Sequence, residues 1–267
     1  MKKSLILLTI PTLLLASCNK EVDEAEAKRL AKGIAEHDVQ LSDFKSARFE
    51  QNLKYSRKGK VDAADINDSS FEKTIKEINV EKYYFHSVYE TDNTKHETWA
   101  FVRDDKLTVA SYDKQGSGDA TKNKYEISIG VKIAFETKTA AESAYILGKV
   151  SAKSYAEMVV DSSILPAGAE AKYYSSGDGN LTVEATVKYE NVAKYDYKAT
   201  GKDVYKLVLD QYLLAEYSQK QEANYKSDDG ASDFNETVEE VEKVSINSVS
   251  PSYPNLSEYK TVLEFNL

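Results

Sequence analysis

The residue with the most specific chemistry in this sequence is Cys18, the only cysteine among 267 residues. A single thiol excludes an internal disulfide, a cysteine-based zinc site and a cysteine-ligated iron–sulfur cluster. Leu15, Ala16 and Ser17 precede it. Ala16 and Ser17 are small enough for the groove of a peptidase, and a thiol can form a thioether. Cys18 is the one position in this chain that offers such a group.

The three histidines, His37, His86 and His96, give little sign of a catalytic or metal site. None has a partner at metal-ligand spacing, and no His-Glu-x-x-His pattern occurs. His86 lies in a predicted strand, which favours a hydrogen-bonded histidine in a sheet. Residues 116–118, Gly-Ser-Gly, lack the spacing of a nucleophile elbow, so a flexible turn is the better interpretation. We therefore predict no metal ion and no catalytic residue.

Two acidic segments have part of the chemistry of a calcium site. The first begins at Asp113, but position twelve of that loop is Lys124, where a calcium loop requires glutamate. The second contains Asp228, Asp229 and Asp233, which could bind calcium weakly. Ordinary solvated carboxylates are the favoured interpretation of both. The alternating residues of the first segment are Asp113, Gln115, Ser117 and Asp119.

The segment before Cys18 has the organisation of an export signal. Lys2 and Lys3 form a basic start, and residues 5–15 are almost wholly apolar. Eleven residues would extend roughly 16 Å as a helix, about half of a hydrocarbon core. The stretch is therefore a signal-peptide core and not a membrane span. No later window has 18 consecutive apolar residues.

The four residues that end this segment, Leu15-Ala16-Ser17-Cys18, closely resemble the lipobox of bacterial lipoprotein precursors. The resemblance implies cleavage between Ser17 and Cys18 and a diacylglycerol thioether on Cys18, so that this covalent lipid is the only non-protein group we expect. Two or three acyl chains, such as palmitate, give stable anchoring where one would be marginal. The alternative is a secretory signal followed by a chance cysteine. Asn19 is not the aspartate associated with inner-membrane retention, so either the cell membrane or an outer membrane would be permitted.

The charge balance limits the partners. The whole chain has 35 basic and 44 acidic residues and a formal charge of −9. Removal of residues 1–17 takes away Lys2 and Lys3, which leaves 33 basic and 44 acidic groups, or −11. This charge excludes a basic footprint for nucleic acid. Anionic headgroups would repel such a surface, so an acyl anchor is needed to hold it at a membrane.

Alternating apolar residues predict antiparallel strands over residues 47–55, 125–135 and 181–189. Turn chemistry predicts hairpins around residues 104–106 and 177–180. A third hairpin around residues 210–211 lacks glycine, and residues 204–215 could alternatively form a helix. Loops are predicted at residues 116–124, 162–168 and 227–242.

One helix is predicted before these strands, at residues 21–35, and two are predicted as insertions between strands, at residues 69–78 and 139–160. The second and third begin with capping-box pairs, Ser69 with Glu72 and Thr139 with Glu142. Small residues dominate one stripe of the third helix and would let it lie close to a sheet. The stripe contains Ala141, Ala144, Tyr145, Gly148, Ala152, Tyr155, Ala156 and Val159.

These elements predict an α+β fold, a large curved, half-barrel-like antiparallel sheet with inserted helices. The predicted domains are a signal peptide at 1–17, a lipid-anchored tether with a short helix at 18–40, and one sheet domain at 41–267. The order from about residue 40 onward is somewhat similar to the LolA/LppX-type lipoproteins. That resemblance implies a hollow that holds lipid or acyl chains, and it identifies no binding residue.

Three functions follow as hypotheses. The first is a non-catalytic, membrane-anchored extracytoplasmic protein that binds a lipid or another amphiphile. The second is a surface adhesion module in which exposed members of the 19 tyrosines contact an envelope protein or another macromolecule. Most tyrosines are explained by strand preference, with the ring on the core and the hydroxyl in water. The third hypothesis is an unrecognised hydrolase.

Overall fold

Long strands make up most of the computed structural model, which describes residues 19–116 and 122–264. The strands in this part of the chain form one sheet of thirteen. The first seven are β1 (Lys20–Val22), β2 (Ser46–Val61), β3 (Ala64–Asn79), β4 (Tyr84–Thr91), β5 (Thr94–Arg103), β6 (Lys106–Gln115) and β7 (Lys122–Val131). The others are β8 (Glu170–Gly177), β9 (Asn180–Lys194), β10 (Tyr197–Asp210), β11 (Leu213–Lys226), β12 (Asp233–Ile246) and β13 (Lys260–Glu264).

The sheet order is β1-β8-β9-β10-β11-β12-β2-β3-β4-β5-β6-β7-β13. Every neighbouring pair is antiparallel except β13, which runs parallel to β7. The run of strands from β8 to β12 is joined to the run from β2 to β7 by the pairing of β12 with β2, which brings residues 233–246 beside residues 46–61. With the helices below, this arrangement confirms an α+β fold built mainly on an antiparallel sheet.

All three predicted hairpins are confirmed. β5 and β6 turn at Asp104 and Asp105, β8 and β9 turn before Asn180, and β10 and β11 turn at Gln211 and Tyr212. The third turn needs no glycine because both of its residues adopt a positive φ themselves, as both turn aspartates between β5 and β6 do. Such paired conformations match the right-handed twist of the flanking strands. The hairpin, and not the alternative helix, therefore occupies residues 204–215.

Three α-helices lie in the described part of the chain: α1 (Glu24–Ala35), α2 (Ala134–Val150) and α3 (Lys153–Val160). Asp23 caps α1 by accepting a hydrogen bond from the Glu26 amide at 2.8 Å. Small buried side chains on α1 pack against small buried side chains on α3, which lets the two helices approach closely. These residues are Ala27, Ala31 and Ile34 on α1 and Ala152, Ala156 and Val159 on and before α3.

The helix predicted over residues 69–78 is wrong, because these residues lie inside β3. Ile75 and Ile78 point to opposite faces of the sheet, whereas the helix would have placed them on one side. All sixteen residues of β3 pair with β2, and the second half also pairs with β4. The Ser69 and Glu72 pattern is only four residues long, and two complete ladders outweigh it.

The loop predicted over residues 227–242 is correct only for the turn at residues 227–232, since residues 233–246 form the central strand β12. Its acids face bases on β2: Asp233 lies opposite Lys60, Glu236 opposite Arg57 and Glu239 opposite Lys54. Opposite charges on paired strands stabilise a sheet. The acidic run therefore indicates a complementary strand.

Two predicted boundaries are corrected. The strand predicted to reach Phe135 ends at Val131, and Phe135 is a buried residue of α2. The helix predicted over 139–160 starts at Ala134 and breaks at Ser151, which is extended and forms a bridge with Leu213. Thr139 is therefore no cap: it is buried inside α2 and its hydroxyl donates to the Phe135 carbonyl at 2.9 Å.

The two faces of the sheet have different covers. On what we call the helix face, α1 and α3 pack over β9 and β10, and α2 packs over β2 to β7. On the opposite face, residues 247–259 cross the sheet as a strap over a cluster of aromatic side chains, so we call it the strap face. The cluster contains Tyr84, Trp99 and Phe101, with Val249, Tyr253, Leu256 and Tyr259 from the strap.

Candidate functional site

An open cleft of about 590 Å³ lies on the helix face, where α2 and α3 diverge above β11. The break at Ser151 turns α3 away from α2 and leaves the space between them open. We call it the tyrosine cleft, after the three tyrosines that line it. Its lining residues are Ala144, Tyr145, Gly148 and Lys149 from α2, Ser154, Tyr155 and Met158 from α3, and Tyr217 from β11.

Much of the small-residue stripe lines this cleft instead of packing on the sheet. Ala141, Ala144 and Gly148 are exposed, and the buried side chains of α2 lie on another side of the helix. The predicted close packing of this stripe against the sheet is therefore wrong for α2, while Ala152 and Ala156 are buried against α1. Short side chains on the cleft side of α2 leave space that longer ones would fill.

Large apolar surface is exposed within the cleft. Tyr145 is 37% exposed and Met158 is 38% exposed. The rings of Tyr155 and Tyr217 lie 5.2 Å apart between centroids and form an inner wall. Aromatic and thioether groups offer adaptable contacts to an apolar ligand.

A buried carboxylate, that of Glu242, is bound to two of the residues that line the cleft, Lys149 and Tyr155. Glu242 is 2% exposed, accepts hydrogen bonds from Lys149 Nζ at 2.7 Å and from Gln51 Nε2 at 3.2 Å, and also accepts one from the Tyr155 hydroxyl. Burial and the bond to this carboxylate raise the pKa of Tyr155 far above its usual range. Burial, with the nearby charge of Glu240, raises the pKa of Tyr217 to about 12. Both hydroxyls therefore stay protonated as hydrogen-bonding groups.

A polar and aromatic band continues from the cleft along the helix face. The Tyr189 hydroxyl donates to Asp203 at 3.1 Å, and the Tyr55 hydroxyl donates to Glu236 at 3.2 Å. Burial and the Asp203 carboxylate raise the pKa of Tyr189. The band ends at an aromatic cluster in which Tyr225 and Phe234 stack at 5.1 Å, with Ala199, Ala223 and Tyr197 beside them.

A second open cleft, of about 460 Å³, lies on the other side of α2 above β3 to β6. Hydroxyl side chains dominate its polar surface, so we call it the hydroxyl cleft; Tyr145 borders both clefts. Lys76 pairs with Glu142 and lies 4.5 Å from the centre of the Tyr145 ring. The residues that line the hydroxyl cleft include Thr74, Ser87, Thr98 and Thr139, over an apolar floor of Phe85, Ala100 and Val109.

In the hydroxyl cleft, a hydrogen-bonded chain joins three residues of the kinds that occur in hydrolase active sites. His96 Nδ1 is bonded to Asp113, and the Thr98 hydroxyl lies 3.1 Å from His96 Nε2. A hydroxyl, an imidazole and a carboxylate in this order can act as nucleophile, base and orienting group. Sequence reasoning missed the grouping because Asp113 reaches His96 only through the pairing of β5 with β6.

His86 lies in β4, as predicted, but on the strap face and between two carboxylates. Its Nδ1 is 3.1 Å from Glu77 and its Nε2 is 2.9 Å from Glu97, while Trp99 stacks on the ring at 5.0 Å. Burial alone would lower the pKa of His86, but the hydrogen bonds to both carboxylates outweigh burial and raise it. Glu77 also pairs with Arg48. The three histidines occupy separate places. His86 lies on the strap face, His96 lines the hydroxyl cleft, and His37 stacks on the Tyr212 ring at 4.2 Å between centroids.

Ser17 and Cys18 lie outside the described residues, as does part of the segment that starts at Asp113. Asp229 and Asp233 are bound into the turn before β12: Asp229 accepts from Ser227 Oγ at 2.6 Å, and Asp233 accepts from Asn224 at 2.8 Å. Over residues 19–116 and 122–264, no group of three or more His, Cys, Asp or Glu side chains is placed to hold a metal ion. Within the same ranges, no helix is long and apolar enough to cross a membrane.

Comparison with known proteins gives no relative that assigns a function. No family model matches the chain, and no curated protein matches it. Among solved structures, the chain is similar to the ywiB protein from Bacillus subtilis at 10% identity, with 73% of this chain and 92% of that chain covered and a TM-score of 0.15. The translocator domain of the autotransporter NalP from Neisseria meningitidis matches at 8% identity, with 82% and 93% covered and a TM-score of 0.15. Similarity at this level supports no conclusion about function.

Proposed function

We propose that this protein is a non-catalytic lipoprotein that binds an amphiphilic ligand outside the cell, anchored to the cell membrane or to an outer membrane through lipid on Cys18. The observation that carries the ligand proposal is the tyrosine cleft. Its volume of about 590 Å³ is in the range of small-molecule sites, and its walls combine exposed apolar side chains with polar ones such as Ser154 and Lys149. The lipobox residues support the anchor.

The sheet, in this proposal, curves around its helices like half of a barrel. All three described helices pack on the same face, and antiparallel strands of this length twist strongly. Curvature toward the helix face would deepen both clefts. It would also bring the tyrosine band closer to α2 and α3.

The cleft offers separate contacts for the two parts of an amphiphile. Tyr145 and Met158 present apolar surface at the mouth, where an acyl or aryl group would lose contact with water. The rings of Tyr155 and Tyr217 continue this surface inward. Ser154 of α3 also lines the cleft and offers a hydroxyl to a polar headgroup, while the Lys149 ammonium is already paired with Glu242.

The anchor is tested by the substitution Cys18→Ala. Because Cys18 is the only thiol, we expect this variant to lose all incorporation of labelled palmitate and to accumulate as unprocessed precursor. Ser56→Ala, an exposed change in β2, is a control that should keep normal labelling and processing. Labelling of the Cys18→Ala protein would refute the lipobox interpretation.

The ligand site is tested with dansyl-undecanoic acid, a fluorescent amphiphile, and residues 20–267, which contain every described element. We expect Tyr217→Ala to weaken binding about tenfold, since lost burial of a ring face costs about 1.5 kcal/mol. Tyr195→Ala is the matched control, because Tyr195 is 87% exposed in a turn far from the cleft. Equal affinity of the wild-type domain and both variants for the probe would show that the site lies elsewhere. Absence of probe binding would contradict the proposal.

A second candidate function, ester hydrolysis, is favoured by the Thr98–His96–Asp113 chain in the hydroxyl cleft. In such a reaction the Thr98 hydroxyl would attack the ester carbonyl while His96 Nε2 accepts its proton and returns it to the leaving alcohol; water would then release the acyl group. Turnover of p-nitrophenyl butyrate that disappears in both Thr98→Val and His96→Gln would support this function. Equal rates in wild type and both variants would dismiss it.

The exposed tyrosines give less support to the adhesion hypothesis. Within the described residues, Tyr89, Tyr145, Tyr195 and Tyr253 are exposed. Tyr89 and Tyr145 line the clefts of the helix face, Tyr195 lies in a turn, and Tyr253 lies on the strap. Because they are dispersed, these rings form no common flat surface for a macromolecule.

A further inference from the structure

The sheet begins almost at the position of the proposed lipid. Lys20 is the first residue of β1 and pairs with Ser175 of β8. Only Asn19 separates it from Cys18. Consecutive Cα atoms are about 3.8 Å apart, so the Cys18 Cα must lie within about 8 Å of the Lys20 Cα. A tether this short cannot let the domain move freely away from its anchor.

The strand ends beside Lys20 form a connected surface, which we call the anchor end. It contains the turns before β9 and β11, which are joined to each other: the Tyr212 amide donates to the Gly179 carbonyl at 3.0 Å and the Gln211 amide donates to Asn180 Oδ1 at 3.1 Å. Arg29 of α1 reaches Asp178 of the same surface at 3.4 Å. The first residues of β1 are thus built into a rigid group of turns.

The opposite ends of the same strands lie far away. β9 is 15 residues long: it starts at the anchor end with Asn180 and finishes 14 residues later at Lys194. At roughly 3.3 Å per residue this strand spans about 46 Å. The turn at Tyr195 and Asp196 therefore marks a far end of the sheet.

We propose that the anchor end docks against the lipid surface, so that β8 to β11 stand away from the membrane. This inference rests on the proposed acyl anchor at Cys18. The exposed Lys20 ammonium would lie beside the headgroups. Tyr217 is the fifth residue of β11, roughly 13 Å from the strand end at Leu213. The tyrosine cleft would then open close enough to the bilayer for an amphiphile to exchange between them.

The orientation is tested with two exposed turn residues at opposite ends of β9, Asp178→Cys and Asp196→Cys. The lipid thioether blocks Cys18, so each full-length acylated variant has one thiol for a bimane label. The labelled proteins are placed in phosphatidylcholine vesicles that contain a headgroup-spin-labelled lipid as quencher. Because the sites are about 46 Å apart along the strand, we expect roughly threefold or greater quenching at position 178 relative to 196. Equal or reversed quenching would overturn the docking proposal.

A second variant tests whether the short tether causes the orientation. A flexible Gly/Ser insertion of about 20 residues between Asn19 and Lys20 would reach about 25 Å and should reduce the difference between the two labels. An unchanged difference would show that the tether does not set the orientation and would overturn this argument. Palmitate incorporation is measured on the same samples: its absence refutes the anchor, whereas its presence with equal quenching refutes the docking alone.

Discussion

At the scale of single residues, His86 shows how a polar group is satisfied inside a sheet. Glu77, His86 and Glu97 occupy one row across β3, β4 and β5, because the register pairs His86 with Glu77 on one side and places Glu97 within reach on the other. Arg48 and Lys95 neutralise the outer sides of the two carboxylates. The imidazolium, which pairs with both acids at once, is the form of His86 that this row favours.

This row predicts a pH dependence of stability. The pKa of His86 is raised in the folded state, so its stabilising effect is complete below the ordinary histidine pKa and is lost as the pH rises through the raised folded value. We expect His86→Gln to lower the free energy of unfolding by about 2 kcal/mol near pH 5.5 and by less near pH 8.5. Urea unfolding at the two pH values measures this difference.

The matched control is His96→Gln, since His96 is exposed and bonded to one carboxylate. It should cost well under 1 kcal/mol at both pH values. A cost of His86→Gln that stays constant or grows as the pH rises would contradict the proposed charge state of this row.

Tyr84 departs from the expected arrangement, in which the ring covers the core and the hydroxyl meets water, because its hydroxyl is bound inside the protein. Tyr84 buries its ring among Trp99 and Phe101 while its hydroxyl donates to the Ser252 carbonyl at 3.1 Å. Burial raises its pKa to about 12, so the hydroxyl is a permanent donor to the strap. The preference of tyrosine for strands explains why such residues occur in this sheet. It does not show which of them meet in a cleft.

At the scale of elements, several hairpins turn through pairs of residues that lack glycine. Asp62 and Ala63 join β2 to β3 with φ values of 49° and 64°. The left-handed region costs an alanine roughly 1–2 kcal/mol relative to the right-handed region. The long ladder between β2 and β3 holds the turn in place despite this cost.

The turn therefore predicts a stabilising substitution. Ala63→Gly removes the steric cost and creates the favoured Asp-Gly turn, with a gain of about 0.5–1 kcal/mol after the added flexibility of glycine is counted. Thermal or urea unfolding measures the gain. The control Ala193→Gly, in an exposed part of β9, should instead destabilise by about 0.5–1 kcal/mol. Destabilisation of the Ala63→Gly variant would contradict the conformation of this turn.

Alternation and turn chemistry were sufficient for elements whose signals are local. The strands at residues 47–55 and 181–189 and all three hairpins follow from them. β3 and β12 did not follow, because their structure depends on partners far away in the sequence: β12 is acidic along its length and becomes a strand only beside the basic β2. The helix break at Ser151 likewise depends on its bridge to Leu213.

At the scale of the whole molecule, one sheet joins all parts of the described chain. β1 and α1, which lie within the predicted tether, belong to this body, since β1 pairs with β8 and α1 packs on α3. The tyrosine cleft uses residues from α2, α3 and β11, which are brought together by the topology. No local pattern could have identified it, although Tyr145 and Tyr155 were noted on one stripe.

The measurement that most directly tests the account is organic extraction of the purified domain, residues 20–267, followed by mass spectrometry. We expect wild-type protein to carry an amphiphile at close to one molecule per chain. The Tyr217→Ala variant should carry much less, while the Tyr195→Ala control should carry the wild-type amount. A domain that copurifies with no amphiphile and leaves dansyl-undecanoic acid unbound would contradict the account.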